Sequence, residues 1–401
     1  MIEVIAPINI ALIKYWGKSD ELNIQPVTDS VSLTLNCEHL HSRTAIYLVD
    51  DDSHTFRLNG KIHPLTIRMK DVIILRAMQR GTFDSSKRLC IESSNNFPTA
   101  AGLASSASGF ASMAFALSNL YQLDGDTASL ARRGSGSACR SMFGGVVHWK
   151  VPTSESKLNS PCVKQLFPHD HWPDLRILIC VTSSQQKPVS SSTAMRRTTA
   201  TSPLFQEVRA KVVKERVPQF IHAFQCRDFE LLAELTMRES NELLAVCLDS
   251  WPPVVYLNAT SFAIMEFVHT LNSNAGRNMA AYTFDAGPNA FILTTANDAA
   301  VVLTLLSECF GNSSHCLEDA NELKVKRQRM EMPESRHFEV RGISYSEKVN
   351  LMNYKDLLEK LPKQPGAIKY VISTEVGQGP QVITYCENGQ KIIKTTHSNK
   401  L

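Results

Sequence analysis

Residues 95–110, Asn-Asn-Phe-Pro-Thr-Ala-Ala-Gly-Leu-Ala-Ser-Ser-Ala-Ser-Gly-Phe, run without a charge into the apolar segment 111–120 and restrict the fold more than any other stretch of the chain. Pro98 stops a strand and Gly102 removes the side chain where the backbone bends. Helical periodicity begins at Ser105 and Ser106, so the order is strand, tight loop, helix. A helix start carries unpaired N–H groups and the positive end of the helix dipole, so a small-residue loop before it suits an anion such as phosphate. No Gly-Lys-Ser/Thr follows, which excludes a Walker loop; a serine-capped core helix is the plain alternative. Residues 100–123 are uncharged and long enough to cross a bilayer, but interrupting Ser, Asn and Gln residues favour a buried core helix over a membrane span.

The 401 residues suffice for two ordinary domains. A formal charge of +3, spread along the chain, offers no basic face for nucleic acid, so the expected partner is a small molecule. Ten scattered cysteines without a Cys-x-x-Cys pair fit neither a zinc site nor a disulfide framework, and no secretory signal opens the sequence; both point to a reducing, cytoplasmic setting. Alternating apolar runs predict strands at 30–36, 44–48, 88–93 and 175–181, a hairpin turn at 58–61 and a helix over 67–78. The Ser/Thr-rich stretch 182–203 reads as a boundary or a ligand loop, dividing the chain into 1–186 and 187–401. Helices follow at about 204–224, 229–248, 256–271 and 298–310, with strands at 280–284, 290–294 and 368–376. Residues 318–337 are charged and irregular.

Three further segments carry chemistry. Lys14-Tyr15-Trp16-Gly17-Lys18 ends the apolar opening run, and its two cations form either an anion clamp or a solvated edge beside core aromatics. In Arg132-Arg133-Gly134-Ser135-Gly136-Ser137-Ala138-Cys139-Arg140, the glycines admit close backbone approach, and Ser137 and Arg140 share a face if a helix starts there. Guanidinium binds phosphate or carboxylate through two parallel hydrogen bonds. Asp285 precedes Ala-Gly-Pro-Asn, where an Asp either acts chemically or bonds the turn's backbone.

With residues 10–18, 95–109, 133–145, 247–253, 282–289 and 374–381 in view, the chain resembles, end to end, the diphosphomevalonate decarboxylase family of the GHMP small-molecule kinase superfamily. The resemblance implies an α+β, two-domain GHMP-kinase fold. Its N-terminal domain would be ribosomal-S5-like and its C-terminal domain a ferredoxin-like α/β sandwich, with the active site in the cleft between them. The implied reaction is ATP-dependent decarboxylation of (R)-5-diphosphomevalonate to isopentenyl diphosphate, with ADP, phosphate and CO2 as the other products. Carried over by motif, Asp285 would deprotonate the 3-hydroxyl, and Arg140 would hold the carboxylate or a neighbouring phosphate with Asn9 behind it. Lys14 would balance charge at the transferred phosphoryl group. Tyr15, Trp16, Gly17, Lys18, Ser135, Gly136, Ser137, Ala138 and Cys139 would surround the diphosphate, with Arg68, Ser192 and Met195 as further substrate contacts. Gly102, Leu103, Ala104, Ser105 and Ser106 would approach the ATP phosphates, and Ser106 the Mg2+.

The sequence departs from the wider superfamily in three places. Ala104 replaces the second glycine of the kinases' Gly-Leu-Gly-Ser-Ser, a decarboxylase trait. Ala194 stands where a glycine is common, which puts that loop's flexibility in question, and Leu243-Leu244 replaces a pair that often contains His. The competing readings are a kinase that stops at phosphorylation and an inactive nucleotide-binding regulator. A homodimer is expected. The terminal Asn399-Lys400-Leu401 approximates a peroxisomal address, the alternative to a cytosolic location.

Overall fold

A computed structural model describes residues 1–78, 87–97, 105–123, 126–152, 162–185, 187–313, 336–347, 349–387 and 390–392. The apolar opening run divides around Ile8 into β1 (Ile2–Pro7) and β2 (Asn9–Ile13). The short pair β3 (Lys18–Asp20) and β4 (Gln25–Pro26) comes next, then β5 (Ser30–Thr34), β6 (His41–Val49) and the hairpin β7 (Thr55–Leu58) and β8 (Lys61–His63). After α1 (Ile67–Met78) and β9 (Arg88–Asn95) come α2 (Ser105–Leu120) and α3 (Thr127–Gly134), a 3₁₀ helix (Gly136–Met142), β10 (Val146–Trp149) and β11 (Val163–Phe167). The second half contains β12 (Leu175–Val181), α4 (Ser191–Thr201), a π-helical turn (Leu204–Arg209), α5 (Ala210–Cys226), α6 (Phe229–Leu248) and α7 (Ala259–Ala275). It continues with β13 (Ala280–Phe284), β14 (Ala290–Thr295), α8 (Ala296–Phe310), the pair β15 (Asn312–Ser313) and β16 (Arg336–His337), and β17 (Glu339–Gly342). The last elements are α9 (Lys355–Lys360), β18 (Tyr370–Glu375), β19 (Gln381–Glu387) and β20 (Gln390–Ile392).

Three larger sheets organise the chain: a seven-stranded one in the order β20-β19-β1-β6-β9-β7-β8, a four-stranded one, β11-β10-β5-β2, and a five-stranded one, β13-β14-β12-β18-β17. The uncharged helix predicted beyond the small-residue loop is α2, and its serines have a definite purpose. Ser108 and Ser112 are buried, and their hydroxyls lie 2.6 Å from those of Ser42 and Thr44 on β6, so the helix packs on the first sheet with its polar atoms satisfied. Among the described residues no helix is long and apolar enough to cross a membrane.

The four-stranded sheet presents Ile10, Leu12, Val31 and Leu33 to a core shared with Ile177, Ile179 and Phe291 of the five-stranded sheet. A second core joins β1, β6 and β9 to α1 and α2, and takes in Ala194, Phe205 and Leu243 from the second half. Strand β2 therefore lies where the two halves meet, and the residues that follow it enter the space between them.

One expectation needs correcting. Residues 191–201, read as part of the boundary or ligand loop 182–203, form α4, and Ser190 caps it by accepting a hydrogen bond from Thr193 N–H at 3.2 Å. Ala194 is fully buried in that helix, so its position is a packed helical one and the question of loop flexibility does not arise there. The loop residues Gly102, Leu103 and Ala104, most of the charged stretch 318–337 and the tail 398–401 lie outside the described residues.

Candidate active site

A cleft of about 340 Å³ opens where β2, the first turn of α2, the 3₁₀ helix and the first turn of α4 converge on the turn between β13 and β14. Its described lining contains five cationic side chains, Lys14, Lys18, Arg68, Arg140 and Lys187, against one carboxylate, Asp285. Two helix starts face it as well, through Ser105 and Ser106 of α2 and Ser190, Ser191 and Ser192 of α4. Both the cations and the helix ends favour anions.

Lys14 and Asp285, 271 positions apart, form an ion pair at 2.8 Å, with the Lys14 side chain 2% and the Asp285 side chain 26% exposed. Burial pulls the Lys14 ammonium below the ordinary lysine range, and the Asp285 carboxylate acts in the opposite direction. The carboxylate accepts from Lys14, while the turn around it is closed by other groups. Gly287 N–H donates to the Asp285 carbonyl at 2.8 Å, and Asn289 Oδ1 accepts from Thr182 and Ser183 N–H at 2.8 and 3.0 Å. The charge of Asp285 is thus presented to the cleft rather than used within its own turn.

Arg140 is 3% exposed and is held through its Nε, which donates to Asn9 Oδ1 at 3.2 Å, and its Nη1, which donates to Ser30 Oγ at 3.0 Å. Asn9 is fixed in turn by donating to Ser137 O at 3.1 Å and Ser141 Oγ at 2.7 Å. The rings of Tyr15 and Trp149, 4.6 Å apart, lie within cation–π range of the guanidinium at 5.9 Å each. Burial lowers the Arg140 pKa, yet guanidinium stays charged, so the cradle keeps a cation at the cleft floor.

The remaining expected residues divide into cleft lining and scaffold. Ser106 Oγ lies 3.3 Å from Ser135 Oγ, bringing the two serine segments together, and Arg68 Nη2 donates to Ser192 Oγ at 3.3 Å. Ser137, Gly136, Tyr15, Trp16, Lys18 and Met195 also line the cleft. Trp16 is anchored by its Nε1, which donates to Thr198 Oγ1 at 3.1 Å, and Lys18 pairs with Glu21 at 2.7 Å. Gly17, Ala138 and Cys139 are not in that lining. Gly17 has φ +86°, and a Cβ on it would stand 2.6 Å from Phe205; Cys139 is buried with its thiol on Gly136 O.

Sequence reasoning missed Lys187, Ser190, Ser191 and Ala286. The Ser190 N-cap is the signal that reveals the first three, since it turns a polar stretch into a helix start aimed at the cleft. Lys187 Nζ donates to Ser191 Oγ at 2.7 Å, and burial lowers its pKa while Asp285 opposes that shift. Leu243 supplies an apolar wall to the cleft.

Beside this cleft, and sharing Arg68, Ser105 and Ser106 with it, a largely apolar cavity of about 700 Å³ is walled by Phe56, Leu58, Ile91, Phe110 and Met113. An apolar chamber joined to an anion site through a helix start fits a nucleotide, its base in the first and its phosphates at the second. Among the described residues no cluster of three or more His, Cys, Asp or Glu could cage a metal.

Two serine-rich helix starts facing a buried Lys–Asp pair where two α+β halves meet define a phosphate-handling enzyme, and its structural neighbours are enzymes of the GHMP-kinase fold. The comparisons narrow this class. Residues 6–160 match the diphosphomevalonate decarboxylase-like N-terminal domain and residues 177–383 the mevalonate 5-diphosphate decarboxylase C-terminal domain. Diphosphomevalonate decarboxylase of Rattus norvegicus is 37% identical over 396 residues, covering 96% of this chain and 93% of the rat protein. The solved mevalonate diphosphate decarboxylase of Trypanosoma brucei superposes with a TM-score of 0.77 at 33% identity, covering 95% of this chain and 97% of that one. A further structure, MDDEF in complex with MVAPP, AMPPCP and magnesium, gives a TM-score of 0.70 at 28% identity and covers 95% and 98%. The chain belongs to the mevalonate diphosphate decarboxylase family.

Proposed function

We propose that this protein uses ATP to decarboxylate (R)-5-diphosphomevalonate, giving isopentenyl diphosphate, ADP, phosphate and CO2. The observation that carries this reading is the charge of the cleft: five cations and two helix starts surround one carboxylate, matching two polyanions that must be held close together. The related structure holding MVAPP, AMPPCP and magnesium supports the same pairing of ligands.

Asp285 accepts the proton of the 3-hydroxyl as that oxygen attacks the γ-phosphorus, and the Lys14 ammonium, 2.8 Å away, compensates the growing negative charge. A tertiary hydroxyl leaves poorly; its phosphate ester leaves well. As the C3–O bond breaks, the electron pair of the bond to the carboxylate carbon becomes the new C=C bond and CO2 departs. Arg140, fixed by Asn9 and Ser30, orients that carboxylate. Ser135, Ser137 and Lys18 hold the diphosphate, Arg68 and Ser192 support them, and Ser105 and Ser106 meet the ATP phosphates. Mg2+ would be held by Ser106 Oγ and those phosphates, supplying charge neutralisation.

The experiment is a single assay with ATP and diphosphomevalonate. Release of CO2 in step with ADP supports the reading, whereas ADP without CO2 would make the protein a kinase.

Homodimerisation rests on the family resemblance and on the exposed apolar side chains Leu204, Leu248 and Trp251, the last 76% exposed; sedimentation velocity tests it. A cytosolic location is the accompanying proposal, and finding a reporter fused to the last dozen or so residues inside peroxisomes would contradict it.

A further inference from the structure

Outside the described cleft lining, four charges are gathered under one peptide. Arg209 on the π-helical turn and Glu239 on α6 are 1% and 0% exposed in their side chains and are paired with each other. Arg209 also pairs with Glu242 at 3.0 Å, and Arg216 of α5 pairs with both glutamates, meeting Glu239 at 2.5 Å. Two arginines and two glutamates balance. Burying them is nevertheless costly, and apolar residues of similar volume commonly serve stability as well or better, so stability alone does not account for the group.

Its contacts with Lys14, the residue that follows β2, give the reason. Lys14 N–H donates to Glu239 Oε1 at 2.9 Å, and Lys14 C=O accepts from Arg209 Nη2 at 3.0 Å. The two hydrogen-bonding groups that flank the Lys14 Cα are therefore both held by one ion pair from another part of the chain. The neighbouring residue on α6 holds the other catalytic partner, since Ser240 Oγ accepts from Phe284 N–H at 3.1 Å, one residue before Asp285. Adjacent positions of a single helix thus fix both backbones that carry the Lys14–Asp285 pair. Those backbones come from different halves of the chain and share no strand pairing with each other.

We infer that Arg209 and Glu239 are positioning residues for the reaction: they clamp the backbone of Lys14 so that its ammonium is aligned with Asp285. The inference rests on the reading of Lys14 and Asp285 given above. An error of about 1 Å in such a group can cost a hundredfold in rate without weakening substrate binding. Arg216 is a built-in control, because it shares both glutamates but does not touch the Lys14 peptide.

The test compares Arg209→Met, Arg216→Met, Lys14→Met and the double variant Lys14→Met/Arg209→Met in steady-state assays with ATP and diphosphomevalonate, with folding checked by circular dichroism and thermal denaturation. Arg209→Met is expected to lower kcat by about 10- to 100-fold with both KM values within about twofold, and Arg216→Met to keep kcat within about threefold. In the Lys14→Met background the Arg209 substitution should cost almost nothing further. If Arg209→Met does not fold, Glu239→Gln and Glu239→Leu replace it. The glutamine keeps an oxygen for the Lys14 N–H and should retain most of the turnover that the leucine loses. Equal kcat losses in the two arginine variants, a change in KM instead of kcat, full additivity with Lys14→Met, or equal activity of the two Glu239 variants overturns the proposal. Normal turnover in Lys14→Met overturns the underlying reading as well, so the two failures are distinguishable.

Discussion

Replacing Asp285 by Asn keeps the side chain's size and leaves an oxygen facing Lys14, but removes both the negative charge and the capacity to take a proton. Two losses follow, and they appear in different measurements. A missing general base costs about 10²- to 10⁴-fold, roughly 3 to 5 kcal/mol of barrier, in the phosphorylation step. A buried ammonium with 2% exposure, paired at 2.8 Å, also loses a charged hydrogen-bond partner worth about 1.5 to 3 kcal/mol, which lowers the unfolding midpoint. Substrate affinity should stay within about threefold of the unaltered protein, because the diphosphate is assigned to Ser135, Ser137 and Lys18 rather than to Asp285. Steady-state ADP release gives the first quantity, urea denaturation the second and calorimetric titration of diphosphomevalonate the third. Near-normal turnover in a folded Asp285→Asn protein would refute the assignment and make Asp285 a structural partner of Lys14.

Arg140→Lys should reduce kcat/KM by roughly 10- to 100-fold, because an ammonium cannot reach Asn9 and Ser30 together, and an abandoned buried polar group costs about 1–3 kcal/mol; kinetics of the variant check this. Gly136→Ala would place a Cβ 2.5 Å from the Tyr15 hydroxyl, and Tyr15 is backed by Trp149. That overpacking should cost about 1–3 kcal/mol of stability and raise the KM for the diphosphate substrate, read by denaturation and kinetics. The kcat profile should fall on its alkaline side below the ordinary lysine value near 10.5, because burial depresses Lys14 while Asp285 and Glu239 oppose it and Arg140 reinforces it. Between the lowered value and 10.5 the unfolded chain binds more protons than the folded one, so Lys14's contribution to stability rises with pH in the window where activity declines. An alkaline limb at or above that value would count against the charged form of Lys14 as the working one.

The sequence revealed the elements whose patterns are local. Helix α1 matches its predicted span, strand β12 likewise, and the serine-rich helix start of α2 lies at the cleft. Helix α4 was obscured because Ser191, Thr193, Thr198 and Thr199 have weak intrinsic helix preference; its cap and its burial against Trp16 and Ser250 override that. The Lys14–Asp285 pair was legible as two residues through the resemblance, but no spacing rule joins positions 271 apart. Glu239 and Arg209 were the least legible, because charges within amphipathic helical runs look like solvated faces. Only the π-helical turn and the crossing of α6 beneath β2 direct them inward.

Strand β19 pairs with β1 along Ile2–Ile5, and the N-terminal ammonium reaches Cys386 O at 3.2 Å. During synthesis, β1 and β6 leave the ribosome early, but the outer neighbour of β1 emerges only after some 380 residues, roughly 20 to 75 s later at about 5–20 residues per second. Throughout that interval β1 is a sheet edge with unpaired N–H and C=O groups and the buried residues Ile2, Val4 and Ala6. The first sheet to begin is therefore the last to close, and a nascent chain arrested before residue 381 presents a long apolar edge to its neighbours on the same polysome.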